Sequence, residues 1–561
     1  MPRLIALVPI VTLLAMLGPV VAGLWGTVLP AFGHLPVAGF DGPSLDALRM
    51  LATTPGIGAA ARISVTTGLL ATGISVLIVV LITGGWSGTP AFQVLERVLS
   101  PLLAVPHAAA AFGLAFLIAP SGWIVRLVSP GLTGWDRPPD VLILNDPYGL
   151  AMTAGLIIKE VPFLLLMTIA ALGQVQQRRS LLVAQALGYG RLTGWLKAVF
   201  PRVYAQIRLP VYVVLAYSMS VVDVAVILGP TTPPPLSVLI VKWMGDPDLG
   251  MRLLAAAGAL LQLALVVAAL SVWRIGEFIV ARIGLSWVIR GGRGRLDGAI
   301  RPLGLGAGAL TAALIFAGLG GLLVWSFAGF WSFPNALPDS FSLRTWMRHG
   351  PDTGGAFGET FIVAMTATGL ALMLVLGCLE AEHRSGRKIT SRGLWLLYLP
   401  LLVPQTTFLP GLQTLLLGLG ADVGRGPVIA AHLVFVLPYV FLSLGDPYRA
   451  WDGRNGVTAA ALGASPNRVF WQVRLPMLTR PVLVAIAVGL SVSVGQYLPT
   501  LLIGGGRVST LTTEAVALAS GGDRRAIAVY GLAQTAAALV PFALALIIPA
   551  LVWRNRRGLH A

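Results

Sequence analysis

The sequence predicts an all-α polytopic membrane protein of about twelve transmembrane helices, arranged as two parallel six-helix repeats. Three observations carry that expectation. The 561 residues are 56% hydrophobic and only 11% charged, with a mean hydropathy of +0.84, whereas about a quarter of a soluble domain is charged. Apolar runs of about 20 residues recur along the chain, each long enough to cross a bilayer's hydrocarbon core, and the period-2 pattern of a membrane barrel is missing. Features of the first half return in the same order in the second.

Twelve spans are expected near 4–29, 60–84, 98–119, 147–174, 205–229, 248–273, 303–329, 357–380, 391–416, 425–444, 480–503 and 526–553. The first follows a lone Arg3, but at roughly 25 residues it is long for a signal-peptide core and is read as a span. Outer loops at about 30–59, 120–146, 230–247, 330–356 and 504–525 are too short for a separate binding domain. The net charge of +17 could suggest nucleic acid, but its placement argues for a lipid bilayer instead. With a cytoplasmic N-terminus, 26 of the 39 Lys and Arg fall in cytoplasmic loops and tails, as the positive-inside rule requires. They cluster at 178–208, 274–301, 384–392, 449–480 and 554–557. Both termini are then cytoplasmic. The single cysteine, Cys378, lies in a span and reads as a buried apolar thiol, so no disulfide framework exists.

The repeat is specific. Pro106 precedes Gly113 by seven residues, and Pro404 precedes Gly411 by seven. IIKEVPFLLLMTI (157–169) matches LVFVLPYVFLSL (433–444), and SMSVVDVAVIL (218–228) matches SVSVGQYLPTL (491–501). A fused duplication follows: a first domain at 1–285, a basic linker at 286–302 around GGRGRLDG (291–298), and a second domain at 303–561. An even number of spans per half makes the repeats parallel rather than inverted.

Between the fourth and fifth spans of each half lies a small polar hairpin: AQALGYGRLTGWLKAVFP (184–201) and AAALGASPNRVFWQVRLP (459–476). In the second copy a short helix ends at Gly463. Ser465 can then N-cap another helix with Pro466 at its first position, and Pro476 is expected to break it. In the first copy Gly188 ends a helix. Leu192, Trp195, Leu196 and Val199 then form one apolar stripe, closed by Pro201. Such short helices are unstable alone and must dock on something. Their own membrane domain, a partner and the lipid headgroups all remain open on physical grounds.

The two segments resemble the cytoplasmic "EAA" loop, E-A-A-x-x-x-G-x9-I-x-L-P, shared by permease subunits of binding-protein-dependent ABC importers. The second copy supplies Val457, Thr458, Ala459, Gly463, Val473, Leu475 and Pro476; the first supplies Leu182, Val183, Ala184, Gly188, Ala198, Phe200 and Pro201. The Gly-to-Pro spacing of 13 holds in both, and the likeness covers roughly 60–275 and 357–553. The motif's Glu is absent, replaced by Leu182 and Val457. The fused form looks most like the iron(III), thiamine and YnjC-type permeases. The resemblance implies the MetI-like, type I importer fold in a bacterial inner membrane. It also implies that Ala184, Leu187, Gly188, Tyr189 and Pro201, with Ala459, Leu462, Gly463, Ala464 and Pro476, form two couplings to ABC ATPase subunits, expected as a homodimer. A periplasmic or extracellular binding protein would deliver the solute, and ATP-Mg would sit on the partner.

The chain itself holds no motor. Its four lysines are Lys159, Lys197, Lys242 and Lys388, and none follows a glycine, so no P-loop exists. No HExxH, GxSxG or cysteine pair appears either, and His383 reads as a solvated loop residue. Charges inside spans are costly and tend to face a bundle interior. Candidate path residues are therefore Lys159 and Glu160 in the fourth span, and Ser220, Asp223, Ser493 and Gln496 in the fifth spans. The alternative is that they only bond neighbouring helices. A six-plus-six ion-coupled transporter is the rival function. It would carry a charged G-x3-D-R-x-G-R-R-like loop after the second span, where this chain has GGWSGTPAFQVLERV (84–98).

Overall fold

The computed structural model describes residues 3–294, 296–386, 390–421 and 423–552. Lys388 and the basic cluster at 554–557 lie outside the described residues. Among the described residues the chain is helical throughout, with only two isolated β-bridges, Leu35 to Phe40 and Ala328 to Phe341. The principal helices are α1 (Arg3–Ala31), α2 (Ile57–Trp86), α3 (His107–Ile118), α4 (Leu150–Gly173), α5 (Phe200–Ser220), α6 (Met251–Ile289), α7 (Asp297–Phe327), α8 (Arg344–Ser385), α9 (Gln405–Gly418), α10 (Arg425–Arg449), α11 (Thr479–Val494) and α12 (Arg524–Val552).

Among the described residues, nine helices are long and apolar enough to span a membrane, or ten if the pair Pro466–Met477 and Thr479–Val494, bent by 76°, counts as one. The two expected spans outside that set are α5 and the region of α9. α5 begins with Arg202 and Arg208 in its first turns. The 391–416 region is two helices, Ser391–Leu402 and α9, parted at Val403 and Pro404. Proline has no N–H to give and disfavours helix at the residue before it.

Packing exchanges the first helices between the expected halves. α1 lies on α9, and α7 lies on α3. Each crossing is a glycine-on-glycine contact. A Cβ built on Gly26 would sit 2.3 Å from the Gly411 carbonyl oxygen, and one on Gly113 would sit 2.9 Å from the Gly318 carbonyl carbon. Thr27 Oγ1 adds a hydrogen bond to the Thr407 carbonyl (2.6 Å). In lipid there is little hydrophobic gain from helix association, so close backbone approach at small residues and interhelical hydrogen bonds supply much of the attraction.

The third and fifth spans are broken in both halves, where the sequence suggested continuous helices. The breaks fall before Pro106 and Pro404, and after Ser220 and Val494. Freed carbonyls must be satisfied internally. Ser237 Oγ donates to the Val221 carbonyl (2.9 Å), and Thr512 Oγ1 donates to that of Val494. Both donors sit on helices, Leu236–Met244 and Leu511–Ala519. The stretches 230–247 and 504–525 are therefore not simple outer loops: each carries a helix with buried residues. Ser64 Oγ accepts the Leu236 N–H (3.1 Å), and Thr360 Oγ1 accepts the Leu511 N–H (2.9 Å). α6 ends at Ile289 and α7 begins at Asp297. Cys378 is half-buried rather than buried, with its Sγ 3.2 Å from Thr12 Oγ1.

Candidate functional site: two hairpins and a central cavity

Each hairpin sits where a fourth span runs into a fifth. The first comprises helices Gln177–Ala186 and Arg191–Ala198; the second comprises Gly453–Ala461 and Pro466–Val469, extended by a wider π turn at Phe470–Arg474. Their turns coincide bond for bond. Gly188 and Gly463 take φ of +82° and +86°, left-handed values that cost an L side chain energy. Tyr189 N–H donates to the Ala184 carbonyl (3.1 Å), and Ala464 N–H to that of Ala459 (3.0 Å). Gly188 N–H bonds the Gln185 carbonyl, and Gly463 N–H that of Ala460, each at 2.9 Å. This is the Schellman arrangement, which satisfies carbonyls at a helix end.

The expected apolar stripe faces inward. Leu192, Trp195 and Val199 are buried, as are Val469 and Phe470. The other side of each hairpin leaves apolar residues in the open. Leu182 and Leu187 are 57% and 61% exposed, and Val457 and Leu462 are 71% and 84% exposed. One expectation needs correction. Pro201 does not end the first hairpin's helix; it lies in the first turn of the next helical segment, where a proline is tolerated because the missing N–H would be unpaired anyway. Pro476 lies one residue before the end of the helical run Pro466–Met477. In the second copy the bend comes at Leu478.

Sequence reasoning missed what holds the second hairpin. Arg474 is buried and donates to the Glu380 carboxylate and to Tyr448 Oη (3.1 Å). Tyr448 Oη donates to Glu380 Oε2 (2.5 Å), and Arg384 Nε donates to Oε1 (2.6 Å). Arg384 also reaches Asn467 Oδ1 of the hairpin (3.0 Å). His383 is not a loop residue: it lies in α8, where its Nε2 accepts from Arg474 (2.5 Å). EAEHR (380–384) is the sequence signal, a charged cluster at the end of an apolar run.

Of the six path candidates, Lys159, Glu160, Ser220, Asp223 and Gln496 line one cavity of about 340 Å³ between the halves. Ser493 points elsewhere, to the buried His432, whose Nδ1 is 2.8 Å from Ser493 Oγ and whose Nε2 is 2.9 Å from Thr500 Oγ1. Lys159 and Glu160 ignore each other, as adjacent helical residues should. The Lys159 ammonium donates to the carbonyls of Leu102 (3.1 Å), Leu103 (3.4 Å) and Val105 (2.5 Å). All three lie at the break before Pro106, where helix ends leave carbonyls to satisfy; that of Leu102 also accepts the Val105 N–H (3.3 Å). Glu160 lies 3.6 Å from His107 Nε2. Ser220 Oγ is spent on its own helix, on the Ala216 carbonyl (2.7 Å). Four tyrosines that the sequence did not single out, Tyr217, Tyr398, Tyr439 and Tyr497, complete the wall.

No protein-family model matches the chain. It is 32% identical over 498 residues to the inner membrane ABC transporter permease protein YnjC of Escherichia coli K12, covering 88% of this chain and 89% of that protein. It is also 31% identical over 96 residues to the molybdenum transport system permease protein ModB of Mycobacterium bovis and of Mycobacterium tuberculosis, a match to 17% of this chain and 36% of ModB.

Proposed function

The chain belongs to the ABC transporter permeases of the inner membrane, and from that premise we propose that it is the whole translocation path of an ATP-driven importer, coupled to its motor through the two hairpins. The observation that carries this role is the paired geometry of residues 177–201 and 453–477. Each hairpin keeps one apolar face on its own bundle and leaves another uncovered, as a joint for a protein partner requires. The uncovered faces are those of Leu182 and Leu187 and of Val457 and Leu462. Two ATPase subunits, as a homodimer, receive one hairpin each, and ATP with Mg is bound there, with no cofactor in this chain. The hairpins and both termini are cytoplasmic, and a binding protein delivers the solute to the opposite side.

The matched hydrogen bonds from Ser237 and Thr512, and to Ser64 and Thr360, support a fused duplication. The cavity favours a small solute that is not anionic. Glu160 and Asp223 face it, while its one ammonium is turned to backbone carbonyls, so the field inside disfavours negative charge. Iron(III), thiamine or another small solute of that kind fits.

The test is a pull-down of the tagged chain from its native membrane, alongside a Gly188→Arg and Gly463→Arg double variant. Capture of a P-loop ATPase by the native chain, and its loss from a still-folded variant, is the expected result. Transport by the chain alone, driven by an ion gradient with no ATPase captured under gentle extraction, would overturn it.

A further inference from the structure

The two hairpins match at every turn bond but differ at one cap. In the second, Ser465 Oγ accepts the N–H of Arg468 (3.3 Å) and caps the helix from within the hairpin. Counted from the turn glycines, Ser465 corresponds to Gly190, and Arg468 to Thr193. Gly190 has no side chain to offer, so helix Arg191–Ala198 has no side-chain cap of its own. Asp297 supplies one from a distance. Its Oδ2 accepts the Thr193 N–H (3.1 Å), and its Oδ1 accepts the Thr193 hydroxyl (2.7 Å). A Cβ built on Gly190 would lie 2.1 Å from Asp297 Oδ2. The carboxylate thus occupies the place where a serine side chain would begin.

Asp297 is the first residue of α7, at the end of the segment that joins the halves. The same segment and the end of α6 hold the hairpin at three further points. Gly190 N–H donates to the Arg293 carbonyl (2.9 Å). Lys197 Nζ donates to the carbonyls of Trp287 (3.1 Å) and Gly292 (2.9 Å). That ammonium also lies over the Tyr189 and Trp287 rings, at 4.9 and 4.5 Å. The Arg293 guanidinium is left beside the Gly188 turn: a Cβ built there would be 3.6 Å from its Nε. Arg293 is exposed, and no carboxylate among the described residues pairs with it. A positive charge is therefore added to the rim of the first uncovered apolar face, and the second hairpin has no linker beside it.

We propose that the joining segment is a working part of the first ATPase-docking surface, fixed there by Asp297 acting as an N-cap in trans, so that the two docking sites on this chain are not equivalent. The docking half of this proposal rests on the coupling role proposed above; the capping half does not. Because α7 packs on α2 and α3, a tilt of the first hairpin is passed directly to the opening helix of the second half. The partner surface that fits is an ATPase face with a carboxylate placed against Arg293.

Hydrogen–deuterium exchange on the purified full-length chain tests the cap. Asp297→Ala is expected to raise exchange across 191–196 about fivefold, the factor for a lost cap, with 453–477 unchanged. Gly190→Ser alone is expected to disrupt the hairpin by collision with the carboxylate. Gly190→Ser combined with Asp297→Ala is expected to recover protection, because the hydroxyl then caps from within, as Ser465 does. Unchanged exchange in Asp297→Ala, or equal tolerance of Gly190→Ser with and without Asp297, overturns the capping. For docking, Arg293→Glu is placed in a Gly463→Arg background, where only the first hairpin can hold the ATPase. A severalfold fall in captured ATPase supports the proposal, and unchanged capture reduces the segment to a strut. If the unaltered chain captures no ATPase, the coupling role fails, while the exchange result still judges the cap.

Discussion

Replacing Glu380 by Gln separates a charge from a shape at the point that holds the second hairpin. Glu380 and Arg474 are 5% and 3% exposed, so solvent screens the pair little. Glutamine keeps the volume and removes the charge. Arg474 and Arg384 then face one another without a carboxylate between them, because the neighbouring Glu382 is taken by Arg449 (2.9 Å). Removing one partner of a buried pair costs about 3–5 kcal/mol, since it strands the other charge. Arg474→Met strands less. Glu380 keeps Arg384 at 2.6 Å and the Tyr448 hydroxyl at 2.5 Å, so its cost falls to about 3 kcal/mol, the lower end of that range. The double variant Glu380→Gln with Arg474→Met removes both charges of the pair but still leaves Arg384 without its carboxylate. Its destabilisation is therefore expected to fall short of the summed single effects by about 2 kcal/mol, a coupling energy typical of groups in one network. Thermal unfolding in detergent, with hydrogen exchange followed over 466–477, provides the measurement. Equal costs for Glu380→Gln and Arg474→Met, and simple additivity in the double variant, would refute the assignment of this cluster as the hairpin's anchor.

Five further outcomes are expected. Gly411→Ala places a Cβ 2.1 Å from the Gly23 carbonyl oxygen; backbone cannot move aside, so the cost exceeds the about 1–3 kcal/mol of ordinary overpacking. Gly18→Ala, with nothing within 4 Å, is its neutral control, and size-exclusion yield of folded protein distinguishes them. Lys159→Met takes the ammonium from the Leu103 and Val105 carbonyls, while that of Leu102 keeps the Val105 N–H, and lowers the unfolding temperature, at about 1–3 kcal/mol for each group left unpaired. Asp223→Asn leaves that temperature near the native value and lowers uptake instead. Gly463→Ala costs about 1–2 kcal/mol from its left-handed backbone alone, as nothing lies within 4 Å of the built Cβ; Gly463→Asn costs less, read by the same unfolding assay. Asp452 caps helix Gly453–Ala461 through the Arg454 N–H, and that bond, with the Arg454 guanidinium, holds its carboxyl below the usual range. A lowered pKa stabilises above the ordinary carboxylate value and is lost as pH falls through the lowered one, so exchange across 453–461 should rise below about pH 4.

Much of this molecule is legible locally. Span positions follow from apolar runs, because a bilayer fixes the length a helix needs. The hairpin turns follow from Gly188 and Gly463, because the left-handed residue that ends a helix is cheap only for glycine. The inward stripe of Leu192, Trp195 and Val199 follows from helical spacing. Five of the six path candidates reach one cavity for a related reason: a polar group in a span must avoid lipid.

Spacing does not give the rotation of one helix against another, and there the tertiary structure decided. It turned Ser493 to His432, and it spent the Lys159 ammonium on carbonyls opened by Pro106, a demand created 54 to 57 residues away. It laid α1 and α7 across opposite halves, because Gly26 and Gly411, and Gly113 and Gly318, let backbones meet where larger residues would hold them apart. It gave the first hairpin a cap from Asp297, 104 residues beyond Thr193. Sequence by itself determined which groups must be satisfied, since a helix end or a buried charge cannot be left unpaired in lipid. Only packing chose the partners, because any donor brought within about 3 Å meets the same need equally well.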